Sequence, residues 1–239
     1  CDFNVTSDKV YTEFDYSIHA VKNIAIDYKL PLLISFDFNR ALMTTTVSQI
    51  RDGLKFPYTN ENDIEIQEQD KVINVIKSIN TTNTWTKPHC EAIHRWLREI
   101  KWTGDIILYG DASGHHQSSQ SEDTNWEIID KFFNRANDYH NYETSNPRVE
   151  KRVDAVNMKL CNMDGEIGIF VDVDNALPLV KDFEQITRDK SGKIEKEKLE
   201  KQGYNHNIEN FGYMVWKEFP ISDELDEPIW MSESVFSVA

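Results

Sequence analysis

The sequence predicts an α/β fold: a mixed sheet with three antiparallel strands first, parallel crossover strands after them, and helices on its faces. Three observations predict it. Apolar, β-branched runs recur three times before residue 80 with short links between them. The apolar period then switches from two to helical spacing. Beyond that switch, strand and helix patterns alternate, as crossover connections require.

Taken in order, "PLLISFDFN" (Pro31 to Asn39) predicts a buried strand, and "LMTTTVSQI" follows two residues later with alternating β-branched residues. "RDGLKFPYTNEND" reads as a loop and "KVINVIKSI" (Lys71 to Ile79) as a third strand. In "KPHCEAIHRWLREIKW", Cys90, Ile93, Leu97 and Ile100 fall at helical spacing, with Pro88 near the first turn. Strand "IILYG" is followed by "TNWEIIDKFFNRA", where Thr124 and Glu127 form a capping box and Trp126, Ile129, Phe133 and Ala136 share a face. "NPRVEKRVDAVNMKL" starts as a helix at Asn-Pro and carries Val149, Val153, Val156 and Leu160 on a stripe. "EIGIFVDV" is a further strand, "NALPLVKDFEQI" a helix, "TRDKSGKIEKEK" an exposed hairpin or loop, and "HNIENFGYMVWKEF" a closing helix. This order matches the ribonuclease H-like fold, and several other α/β folds share part of it.

At 239 residues the chain holds a sizeable core, and it contains no repeats and no low-complexity linker. No apolar run approaches the roughly 20 residues that span a bilayer. The opening residues do not read as a signal peptide, and a non-secretory location is expected. Three widely spaced cysteines, Cys1, Cys90 and Cys161, form neither a zinc pattern nor a disulfide framework and fit a reducing compartment. Cys90 and Cys161 are expected in the core. The balance of 26 basic and 41 acidic residues gives −15, which argues against a protein that coats DNA.

Chemistry enters through acids at strand ends. Asp37 lies in "ISFDFN", where burying a carboxylate is costly unless it is paired or binds a metal. Alternation also lets it face solvent. Asp111 ends "IILYG", either as a ligand or as an Asx turn with Ser113. If the first and crossover strands are neighbours, the two carboxylates stand on one face and repel unless a cation lies between them. Hard oxygen donors select Mg2+ or Mn2+, and two such ions about 4 Å apart align water and a scissile phosphate. A third acid is needed. Glu209, near the start of the last helix, is the best placed, although an acid there also suits a helix first turn.

"ISFDFN", "ILYGDASG", "NPRVEKRVDAVN", "GEIGIFVDVDNALPLVKDFEQI" and "HNIENFGYMVWKEFP" together resemble, in order and spacing, the nuclease domain of tailed-phage terminase large subunits. "KVYTEFDYSIHAV" resembles the segment that enters this domain from an upstream ATPase domain. The resemblance implies a metal-dependent endonuclease that cuts concatemeric double-stranded DNA during genome packaging in the cytoplasm of an infected bacterium. It also implies the upstream ATPase domain, a portal and a small terminase subunit as partners, with no membrane involved. The family's acids map onto Asp37, Asp111 and Glu209. The last motif departs from the commoner His-x-x-Asp-Ala, reading His206-Asn207-Ile208-Glu209-Asn210, and "RALMT" replaces a Pro-containing turn after Asn39. No Gly-x-x-x-x-Gly-Lys-Ser/Thr occurs, so this chain is not expected to hydrolyse ATP. The expected organisation is a lead-in segment at 1–30, a nuclease domain at 31–220 and an acidic tail at 221–239. A Holliday-junction resolvase or transposase-type nuclease, and a non-catalytic docking module, are the alternative readings.

Asn39, Ser113, His206 and Asp174 are expected around the acids as supporting groups. His115 and His116 read as exposed loop residues. Asp174 or Asn175 is also expected to cap the helix that follows. DNA contact is expected from Arg148, Lys151, Arg152 and Lys159 on one helix and from Lys190, Lys193, Lys196 and Lys198 around the Ser-Gly turn. The interleaved Glu150, Glu195 and Glu197 equally fit a solvated face.

Overall fold

A strand that is apolar on both sides seeds the sheet. β2 (Leu32–Asp37) is buried along its whole length. Its even positions, Leu32, Ile34 and Phe36, belong to one core and Leu33 belongs to another, so the sheet is covered on both faces. A computed structural model describes residues 9–115, 122–134, 138–142, 144–194 and 203–221.

β2 pairs antiparallel with β3 (Leu42–Asp52), which pairs antiparallel with the long β6 (Glu68–Thr82). This is the meander expected from sequence. β7 (Ile106–Gly110) then runs parallel to β2, with Phe36 opposite Gly110. β9 (Ile167–Asp172) runs parallel to β6, and β1 (Ala20–Val21) parallel to β9. β8 (Asp138–His140) extends the other edge beside β7. The seven-stranded order is β1-β9-β6-β3-β2-β7-β8.

α2 (Thr86–Glu99) and α3 (Asn125–Phe132) cover one face through Cys90, Ile93, Leu97, Trp126 and Ile129. α4 (Val149–Leu160), α5 (Leu177–Gln185) and α6 (His206–Glu218) cover the other through Val153, Val156, Val180, Phe183, Phe211 and Met214. The Thr124–Glu127 capping box forms as expected. Ala136 lies outside the described residues. No helix among the described residues is long and apolar enough to cross a membrane.

Several expectations are corrected. The polar stretch after β3 is not wholly loop: β4 (Tyr58–Thr59) and β5 (Glu65–Ile66) form a small hairpin. Ahead of α1 (Tyr16–His19), Val10, Tyr11 and Phe14 of the expected lead-in segment are buried in the core. Neither Asp174 nor Asn175 caps α5, whose N-cap is Ala176. Asp172 organises that turn instead, accepting from the N–H groups of Ile24, Asp174 and Asn175. Cys90 is fully buried, whereas Cys161 is only half-buried at the end of α4. Cys1, His116 and residues 222–239 of the tail lie outside the described residues.

Candidate active site

The ends of β2 and β7 bring Asp37 and Asp111 together. Both residues sit one step past the Phe36–Gly110 pair, and the Asp111 N–H donates to Phe36 O at 3.2 Å. Adjacent strands lie about 4.8 Å apart. The close approach depends on Gly110, where a Cβ would stand 2.5 Å from Phe36 O and 3.0 Å from Phe36 N. A side chain there would push β7 away from β2, and Asp111 with it.

Asp37 is buried, at 6% exposure, so the solvent-facing alternative does not hold. It shares the α6 side of β2 with Ser35, whose hydroxyl donates to Asn210 O. The His206 Nδ1–H donates to Asp37 Oδ2 at 2.9 Å. Burial raises the Asp37 pKa above the ordinary carboxylate range. The charges of Glu209 and Asp111 add to the rise, while His206 opposes it.

Asp111 forms the Asx turn that sequence offered as the plain alternative: its Oδ1 accepts from Ser113 N at 2.6 Å. The same oxygen accepts from Asn146 Nδ2 at 2.7 Å. The Asp111 carbonyl accepts from Trp126 Nε1 at 3.1 Å, and the Trp126 ring stacks on Tyr142 at 3.7 Å. This turn holds the carboxylate at the sheet edge and leaves Oδ2 for another partner.

Glu209 arrives on α6, the helix that follows Asn205 in a left-handed conformation (φ 84°). Two tertiary devices place that helix. Asp182 of α5 accepts from the N–H groups of Asn207 and Ile208 at 3.0 and 3.1 Å, doing the work of an N-cap from a different helix. Burial pushes Asp182 up to about 7 despite these bonds. Asn210, fully buried, then pins α6 to β3. Its Oδ1 accepts from the Thr46 hydroxyl and N–H, and its Nδ2 donates to the Thr44 hydroxyl and His206 O. Neither residue was expected from sequence. The available signal for Asn210 was a polar side chain that, like Asn207, falls within the apolar face of Ile208, Phe211, Met214 and Val215.

Arg152 is the largest departure from the sequence reading. Expected on a DNA-facing surface, it lies buried beneath α6. Its Nη1 donates to Glu209 O at 3.1 Å, its Nη2 lies 3.7 Å from Glu209 Oε1, and its guanidinium covers the Tyr213 ring at 4.1 Å. Burial holds the Tyr213 phenol above its usual range; Arg152 opposes that rise, and Asp111, Glu209 and Asp37 all add to it. Tyr213 therefore senses all three acids. Lys159 is likewise buried, donating to Gln69 Oε1 and Lys71 O over the Phe219 ring, and burial lowers it to about 8.

The remaining sequence-predicted residues fall in three places. Asn39 makes the β2–β3 turn, its Oδ1 accepting from Ala41 N. Asp174 sits at the end of β9 in the turn that Asp172 organises. Arg148 is exposed at the start of α4, Lys151 is half-buried, and Lys190 and Lys193 are exposed near the Arg188–Ile194 bridge. Lys196 and Lys198 lie outside the described residues. Among the described residues, no three His, Cys, Asp or Glu side chains converge closely enough to hold one metal ion.

The donor set at the sheet edge nevertheless suits a hard divalent cation. Its members are carboxylates only, and the buried one is held above its ordinary range by burial and by two neighbouring negative charges, a repulsion that a cation would relieve.

No protein-family model and no curated protein sequence matches the chain. Among solved structures, the large terminase of a thermophilic bacteriophage is similar over 87% of this chain at 12% identity, with a TM-score of 0.53. The complex of that terminase with ATP-gamma-S gives 0.56 over the same share. The chain spans 44% and 45% of the length of the terminase in those two structures. The large terminase nuclease domain of bacteriophage SPP1 with bound Mn is more remote, at 14% identity, a TM-score of 0.43, and coverage of 84% of this chain and 95% of that one. The chain therefore has a ribonuclease H-like fold, shared with the part of a phage large terminase to which it corresponds.

Proposed function

We propose that this chain is a divalent-metal-dependent DNA endonuclease domain of a phage large terminase, cutting concatemeric double-stranded DNA during genome packaging. The observation that carries the reading is the juxtaposition of Asp37 and Asp111 at the ends of adjacent parallel strands, within the field of Glu209. Asp37 and Asp111 would hold the cation, and Glu209 would supply the third carboxylate. Mg2+ or Mn2+, when bound, supplies Lewis acidity and an activated water for phosphodiester hydrolysis.

The chain's own groups prepare that chemistry. The His206 N–H fixes one Asp37 oxygen and leaves the other to a ligand. Ser113 and Asn146 do the same for Asp111. Arg152 braces the Glu209 backbone against α4. Portal, small subunit and upstream ATPase domain are the partners this reading supplies.

Supercoiled plasmid incubated with the chain and Mn2+ tests the proposal. Nicked and linear products are expected, lost in Asp37→Ala and Asp111→Ala variants that fold. Undiminished cleavage in excess EDTA, or in both variants, would overturn it.

A further inference from the structure

The acids have a neighbour that the sequence reading left unused. Residues 38–51 and 71–90 contain no Asp or Glu, in a chain carrying 41 acids and a net charge of −15. The sheet places these two stretches side by side as β3 and β6, with Leu42 opposite Thr82. Beyond the strands their loops zip together: Asn83 N donates to Ala41 O, and Thr84 N to Arg40 O. Asn83, at φ 49°, makes the tight turn that permits this.

The result is a rim directly past the end of β2, three residues from Asp37. Arg40 and Lys87 are exposed on it, and the Trp85 side chain is 44% exposed between them in sequence. A large exposed aromatic beside two cations, with no acid in either stretch, is the composition that tracks a nucleic-acid backbone. The helix expected to do this work is less suited, since its Arg152 and Lys159 are buried.

We propose that the Arg40–Trp85–Lys87 rim contacts the DNA backbone next to the candidate active site. The inference rests on the nuclease reading and adds where the substrate lies. Arg40 and Lys87 neutralise backbone phosphates, and Trp85 packs against sugar or base. The rim gives an acidic protein a local patch on which a polyanion is not repelled.

The test is fluorescence anisotropy of a labelled duplex of about 20 base pairs in EDTA across a KCl series, with cleavage measured separately in Mn2+. The Arg40→Ala, Trp85→Ala, Lys87→Ala triple variant is expected to bind at least about tenfold more weakly at low salt. Its log-affinity slope against log salt should be shallower by about two, one unit for each lost phosphate contact. A control variant carrying Lys29→Ala and Lys55→Ala, exposed lysines at the opposite end of β2, should bind as the parent does. Equal binding by the triple variant and the parent, or no measurable binding by the parent at low salt, overturns the rim; Trp85 would then be left for a protein contact. The two readings separate cleanly. A parent that cleaves while the triple variant keeps full binding refutes the rim alone. A parent that never cleaves while the triple variant loses binding refutes the nuclease alone.

Discussion

Replacing Asn210 with alanine tests how α6 is held over the sheet. The amide makes four hydrogen bonds, at 2.6, 2.8, 3.2 and 3.2 Å, in a fully buried position. After truncation His206 O keeps the Thr44 hydroxyl at 3.0 Å, so that end is largely spared. The Thr46 hydroxyl and N–H both lose the Asn210 acceptor. Stranded buried donors cost roughly 1–3 kcal/mol each, so the variant should lose about 3 kcal/mol. That is a large share of the roughly 5–15 kcal/mol typical of a folded domain. Urea unfolding in EDTA measures it. Adding Thr46→Val removes the stranded hydroxyl, so the double variant should be less destabilised than the sum of the singles, by about 1 kcal/mol. A loss below about 1 kcal/mol for Asn210→Ala, or strict additivity, would refute the claim that this amide pins the helix.

Three further outcomes are expected. Asp37→Asn should abolish cleavage yet raise the melting temperature in EDTA, by about 1 kcal/mol of stability, because it removes a buried charge repelled by Glu209 and Asp111; a lower melting temperature would contradict this. Gly110→Ala should destabilise the fold by about 2 kcal/mol and depress cleavage, since the new Cβ meets Phe36 O; a chemical melt and plasmid assay with parental values would contradict it. His89, buried between the Thr45 and Thr81 hydroxyls, is lowered by burial from 6.5 to about 4. The unfolded chain therefore takes up that proton first. Stability is full above about pH 6.5 and should fall by up to about 3 kcal/mol as pH drops toward about 4. His89→Gln should flatten this acid limb, and an unchanged slope of stability against pH would rule the assignment out.

Much of the frame was legible because it rests on local pattern. The buried runs at Leu32–Asp37 and Ile106–Gly110, the antiparallel order of β2, β3 and β6, and the Thr124–Glu127 box all follow from periodicity and capping chemistry. β1 and β8 were not legible: two- and three-residue edge strands carry no period to read. The acids could be named because carboxylates at apolar strand ends demand a partner. Arg152 and Lys159 could not be placed, since a charged head is buried only where acceptors satisfy it, and here those acceptors come from distant elements. Those acceptors, Glu209 O and Lys71 O, are 57 and 88 residues away. Asp182 and Asn210 escaped for the same reason: each satisfies groups on an element that only the tertiary fold brings near.

The account turns on Asp37 and Asp111 sharing a divalent cation. Calorimetric titration of Mn2+ into the chain, beside Asp37→Asn and Asp111→Asn variants whose folding has been verified, tests this most directly. Saturable binding by the parent that is lost in either variant is the predicted result. Binding that survives in both variants, or its absence from the parent, would contradict the account.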